Sequence, residues 1–115
     1  MELVVFVGSD KENWGQVSGL IKRGEWENVI ILKNKNSEFP GINGSEVIID
    51  SSLPMVELKK EMMDKLKGSI KDFEVALSIA SGNGKEHMAL ISALLSIPVG
   101  IRFAVFTKNG VEFIN

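Results

Sequence analysis

Ser81-Gly82-Asn83-Gly84-Lys85 is the stretch whose residue types and spacing can do chemistry. It lies between the apolar run Phe73–Ala80 and a long apolar stretch beginning at Met88, so a strand passes into a helix through glycine and small polar residues. Such a turn aims several backbone N–H groups at one point, at the positive end of the helix dipole, and that point suits an anion, above all a phosphate. Lys85 falls in the first helical turn, where a cation opposes the dipole unless an anion sits beside it. His87 follows two residues on. A second strand-to-helix loop, Gly8-Ser9-Asp10, follows the run Leu3–Val7. The candidate ligand-binding residues are therefore Gly8, Ser9, Asp10, Ser81, Gly82, Asn83, Gly84, Lys85 and His87.

Several chemistries are disfavoured at once. The turn lacks the Gly-x-x-x-x-Gly-Lys-Ser/Thr spacing of a P-loop, and Gly82-Asn83-Gly84 has no third glycine for a dinucleotide fingerprint. With no cysteine and one histidine, neither disulfides nor a Cys/His metal centre is expected, and no cofactor is implied. The formal net charge of −2 argues against a general grip on duplex nucleic acid, which needs many cations, so an anionic ligand must be held locally. No apolar run approaches the roughly 18 residues of a membrane span, and the start at Leu3 is too short for a signal peptide; the expected location is the cytoplasm. Trp14 reads as a core residue that can alternatively stack on a base, and Arg102 as a partner for a surface carboxylate or a ligand.

The elements that must position these loops follow from the hydrophobic pattern. Leu3–Val7 and Val29–Leu32 are continuous β-branched and aliphatic runs of the kind found in strands covered on both faces, and Val47–Ile49 is a third. Ser9-Asp10-Lys11-Glu12 reads as a capping box opening a helix with Trp14, Val17, Leu20 and Ile21 on one face and Arg23-Gly24 as its stop. Lys33–Gly44, with Pro40, Gly41 and Gly44, reads as a loop containing at most a short helix. Ser51 or Ser52 is expected to cap a helix opened by Pro54, with Met55, Leu58, Met62 and Leu66 inward and a stop near Gly68. Phe73–Ala80 is the fourth strand, followed by a helix from Gly84 to Ile97 that is expected to be the most buried of the three and to end at Pro98. Ile101–Thr107 and Val111–Ile114, joined through Lys108-Asn109-Gly110, predict a terminal hairpin with a type I′ turn. The fold class is thus α/β: a Rossmann-like, mainly parallel sheet with flanking helices and a C-terminal β-hairpin, in one domain spanning residues 1–115. In such sheets ligands bind beyond the carboxyl ends of the strands, and strands one and four are expected to be neighbours, so that Ser9 and Lys85 face one crevice.

The order of these elements, and the segment Ser81-Gly82-Asn83-Gly84-Lys85-Glu86-His87-Met88 before Ala89–Leu95, resemble the CARF domain, the CRISPR-associated Rossmann fold. The segment is similar to that family's Ser/Thr-Gly-Gly-Thr-Lys-x-Met. Aligned on Met88, Gly84 takes the second glycine position and Lys85 stands where the family often has Thr; aligned on Lys85, one residue is inserted before Met88. The resemblance implies a homodimer that binds a cyclic oligoadenylate, with the Ser9 loop and the Ser81–Lys85 turn holding phosphates. It also implies, for members that cut the ring, Lys85 and Ser9 as the candidate catalytic residues. With no effector domain after residue 115, it implies a free-standing sensor, a ligand sink or a slow ring nuclease. Two other readings remain open: an α/β interaction module using the apolar Met88–Leu95 helix and the hairpin, and a binder of a mononucleotide or another phosphate-bearing metabolite.

Overall fold

The first strand, β1 (Glu2–Val7), lies at the middle of a six-stranded sheet because every one of its residues is buried, which requires cover on both faces. In a computed structural model describing residues 1–40 and 43–115, the sheet order is β3-β2-β1-β4-β5-β6, with β2 (Asn28–Asn34), β3 (Ser45–Ile49), β4 (Glu74–Ser78), β5 (Gly100–Thr107) and β6 (Gly110–Phe113). Only the β5–β6 pair is antiparallel. Val4 stands opposite Ile30 of β2 and Leu77 of β4, which fixes the register across the centre. This is the expected Rossmann-like α/β arrangement with its C-terminal hairpin.

Strand alternation sends the two halves of β1 to different cores. Leu3, Val5 and Val7 pack with Val17, Leu20 and Ile21 of α1 (Trp14–Arg23). Val4 and Phe6 pack with Leu58, Met62 and Leu66 of α2 (Met55–Lys67), and with Ala89, Leu90, Ala93 and Leu94 of α3 (Gly84–Ser96). Thus α1 lies on one face and α2 and α3 on the other. Burying Leu90 or Leu94 completely contributes roughly 2 kcal/mol each in apolar transfer, so the sheet–helix contacts dominate stability. More of α3 is buried than of α1 or α2, but Met88 and Leu95 stand out from it, 64% and 61% exposed.

Four local expectations are corrected. Ser9 and Glu12 form no capping box: a 3₁₀ turn at Lys11–Asn13 intervenes, α1 starts at Trp14, and both residues are exposed. Neither Ser51 nor Ser52 caps α2, whose N-cap position is Pro54; Ser52 instead donates through its N–H and hydroxyl to Asp50, at 3.0 and 2.6 Å. β4 stops short of the predicted run at both ends, leaving Phe73 95% exposed. The hairpin turn is not type I′, because that turn needs positive φ at both central residues; here only Gly110 has one, +100°, so the turn closes with a glycine bulge. In the Lys33–Gly44 stretch, β2 extends to Asn34 and no helix follows among the described residues; Gly41 lies outside them.

Candidate functional site

Because β1 turns back to β2 while β4 continues to β5, and α1 and α3 lie on opposite faces, their connections diverge at the carboxyl ends of two neighbouring strands. That is the topological switch point where ligands bind in open α/β sheets. The two predicted loops meet there. The Gly8 N–H donates to Ser81 Oγ at 2.8 Å, and the Ser81 hydroxyl donates to Asp10 Oδ1 at 2.7 Å. The Gly82 N–H donates to the same Oδ1 at 2.9 Å, and Asn13 Nδ2 holds Oδ2 at 2.7 Å. Burial disfavours the Asp10 charge, but these hydrogen bonds outweigh it and hold the carboxyl below its ordinary range.

The approach is close enough to demand glycine twice. A Cβ on Gly8 would lie 2.6 Å from Gly82 Cα, backbone against backbone. Gly82 has φ +107°, and a Cβ there would meet Phe6 Cδ1 at 2.8 Å and His87 Nε2 at 2.9 Å. The glycines of the turn therefore serve the contact between loops as well as the entry into α3.

Asn83 opens α3 with a capping box: its side chain accepts the Glu86 N–H and the Glu86 carboxylate accepts the Asn83 N–H, both at 2.9 Å. The other Glu86 oxygen accepts from the Ser51 hydroxyl at 2.5 Å, and Ser51 exchanges two hydrogen bonds with the Asn34 amide, at 2.8 and 2.9 Å. Lys85 Nζ donates to the Ser51 carbonyl at 3.0 Å. The ends of β2, β3 and β4 are stitched together by this chain. Asp50 beside it is held below its ordinary pKa, chiefly by the Ser52 hydroxyl and N–H, with Lys85 adding to the effect.

The predicted residues come together but divide by role. Ser81 is fully buried, and Asp10, Gly82 and Asn83 are engaged in holding the loops. Ser9 is exposed with its hydroxyl unpaired among the described residues, and the Gly84 and Lys85 N–H groups of the first helical turn have no acceptor among them. The Lys85 side chain, from the same turn, is directed to the Ser51 carbonyl. His87 donates from Nε2 to the Ser81 carbonyl at 2.7 Å, so that nitrogen carries the proton, and its ring meets Phe6 edge-on at 6.4 Å. Arg102 faces Glu74, at the amino end of β4 and so at the other end of that strand from α3's start, at 3.9 Å. Glu86, Ser51, Asn34 and Asn13 are participants that sequence reasoning missed. An Asn three residues before a Glu at a helix start was a signal for Glu86; Ser51 and Asn34 carried none. Among the described residues no group of three His, Asp or Glu side chains is placed to hold a metal ion, and no helix is long and apolar enough to cross a membrane. No family model and no curated protein matches this chain.

Proposed function

We propose that this chain is a homodimeric binding domain for a cyclic oligoadenylate, holding a phosphate of the ring at the start of α3. The observation that carries the reading is the pair of N–H groups, Gly84 and Lys85, that have no acceptor among the described residues at the β1–β4 switch point. A phosphate there would gain two backbone donors and the dipole, and an ammonium once Lys85 turns to it from the Ser51 carbonyl. Ser9 adds an exposed hydroxyl, unpaired among the described residues, from the neighbouring loop. The cyclic adenylate identity rests on the resemblance of the Ser81–Met88 segment; the site chemistry alone supports the wider class of phosphate-bearing nucleotides.

Binding rather than fast cleavage is the activity this arrangement supports. Asp10 and Glu86 are each held by two or more donors and serve to fix the loops, and the His87 ring is anchored through its Nε2–H on the Ser81 carbonyl, which leaves Nδ1 as its only basic atom. Slow ring opening by a ribose 2′-hydroxyl would rely on Lys85 to offset the developing negative charge, with Ser9 donating to the phosphate. Homodimerisation is supported by the outer face of α3, where Met88 and Leu95 are exposed and Ile91 between them is half-buried.

Calorimetric titration with cyclic tetra- and hexa-adenylate tests the reading. Lys85→Ala is expected to weaken binding by about tenfold or more, the loss of one charge-assisted contact, and Ser9→Ala by about threefold. Unchanged affinity in both variants would sink the site. A dimer that ignores every nucleotide would favour the interaction-module reading, for which Met88 and Leu95 are the specific support.

A further inference from the structure

A cavity of about 370 Å³ opens between the carboxyl ends of β1 and β2, on the α1 face and next to the switch point. We propose that it is a base pocket, taking the flat, uncharged heteroaromatic ring of a nucleoside or nucleotide. Its volume lies within the usual range for small-molecule sites, and it admits a purine with some of its sugar.

The lining fits that chemistry. Val7, 1% exposed, contributes an apolar strand end, and the Trp14 indole forms a wall. The indole is fixed before any ligand arrives: its N–H donates to the Gly8 carbonyl at 3.0 Å, and its ring meets Phe39 edge-on at 5.4 Å and 88°. With its N–H engaged, Trp14 offers its π surface from a fixed indole; the Lys11 ammonium stands over that ring, 5.7 Å from its centroid, on an exposed side chain that swings aside when a base packs there. Around the rim stand the Ser9 hydroxyl and the Asn36 amide, which make no hydrogen bond among the described residues and can read the edge of a base. The charges at the rim cancel: Lys11 from the β1–α1 connection and Glu38 from the β2–β3 connection pair at 3.3 Å. A neutral ring needs no counter-charge from this exposed pair.

The pocket shares Ser9 with the proposed phosphate site, so it deepens the nucleotide reading and rests on it only for the group attached to the ring. A titration that omits the phosphate separates the two. The chain has two indole N–H groups, and Trp26 donates its own to the Leu20 carbonyl, away from the pocket, so it serves as an internal control. Nitrogen–proton correlation spectra of the full chain are recorded with adenosine, AMP, ribose 5-phosphate and inorganic phosphate, the two indole signals being assigned with Trp26→Phe.

The expected result is a saturable shift of the Trp14 indole signal with adenosine and AMP, none with ribose 5-phosphate or phosphate, and a still Trp26. Ser9→Phe, an exposed position at the rim, should weaken adenosine at least tenfold by occluding the mouth, and Asn36→Ala should weaken it about threefold while levelling adenosine against guanosine. A Trp14 signal unmoved by millimolar adenosine, or moved equally by ribose 5-phosphate, overturns the pocket. Adenosine binding in a Lys85→Ala variant that also keeps full affinity for AMP upholds the pocket while removing the phosphate site; loss of AMP affinity in Lys85→Ala without any adenosine response does the reverse.

Discussion

Two carboxylates flank β1, and the chemistry around them is nearly the same. At its start, Glu2 accepts the N–H groups of Lys71 and Asp72 at 2.7 and 3.0 Å and the Asn28 amide at 3.3 Å. Past its end, Asp10 accepts from Ser81, Gly82 and Asn13. Each ties β1 to a loop adjoining β4, and for each the hydrogen bonds outweigh the penalty of burial and keep the carboxyl below its ordinary range. The difference lies in what the loop leads into. The loop that Glu2 holds leads into β4, whose N–H groups go to the sheet ladder; the loop that Asp10 holds leads into α3, whose first turn keeps donors with no acceptor among the described residues. A buried carboxylate held by backbone N–H groups therefore marks a clasp. A surplus of donors beside one marks a site.

The comparison breaks most visibly at Glu2. Truncation to Ala takes the charged acceptor from two partly buried N–H groups and should cost roughly 3 kcal/mol in urea unfolding, while Glu2→Gln, which keeps an acceptor oxygen, should cost under about 1 kcal/mol. Neither should alter ligand affinity in variants that fold. If Glu2→Ala weakens binding as Lys85→Ala does, the two ends of β1 are not distinct in role.

Gly8→Ala comes next. A methyl 2.6 Å from the Gly82 Cα must push apart loops that are themselves held by hydrogen bonds, at roughly 2 kcal/mol, and it should also lower ligand affinity because α3's first turn moves with Gly82. The same urea series and titration measure both. A loss of stability with affinity intact would show that the contact between loops does not position the donors.

Asp10→Asn sharpens the pH side. The amide keeps one acceptor for Ser81 and Gly82 but turns a donor toward Asn13, so about 1 kcal/mol should be lost at neutral pH. Since the folded-state pKa of Asp10 is lowered from 3.8, its contribution is full above that value and fades as the pH falls through the folded pKa. Stability measured from pH 6 down to pH 2 should therefore fall less steeply in Asp10→Asn than in the wild type. Equal slopes would leave Glu2, lowered from 4.5, as the sole source of acid sensitivity among this pair.

The strand order was legible because doubly covered strands announce themselves: Leu3–Val7 and Val29–Leu32 have no polar residue to place on an outer face. Alternation with helices then put β1 beside β4, and with them the Ser9 and Ser81 loops. The content of the site was less legible. Asp10 finds Ser81 across 71 residues of chain, and Ser51 finds Glu86 across 35, distances over which no local pattern speaks. Lys85 was legible as a cation against the dipole, but its bond to the Ser51 carbonyl depended on where the β3–α2 connection lay.

The smallest expected effect carries the finest distinction. Ser9-x-x-Glu12 and Asn83-x-x-Glu86 present the same capping pattern, one polar cap and a Glu three residues on, yet only the second closes. The difference is not local. Asp10, next to Ser9, is drawn across to Ser81 and Gly82, and the chain then spends a 3₁₀ turn before α1 begins, so the Ser9 hydroxyl is left facing solvent. Asn83 has no such competitor and caps its helix. Asn83→Ala should accordingly cost about 1 kcal/mol, and Ser9→Ala less than about 0.5 kcal/mol, in the same thermal and urea measurements. Equal losses would mean that Ser9 does cap α1 in solution and that its hydroxyl is not free for a ligand. Unequal losses, with Ser9→Ala still weakening nucleotide binding, would separate a residue kept for contact from one kept for folding.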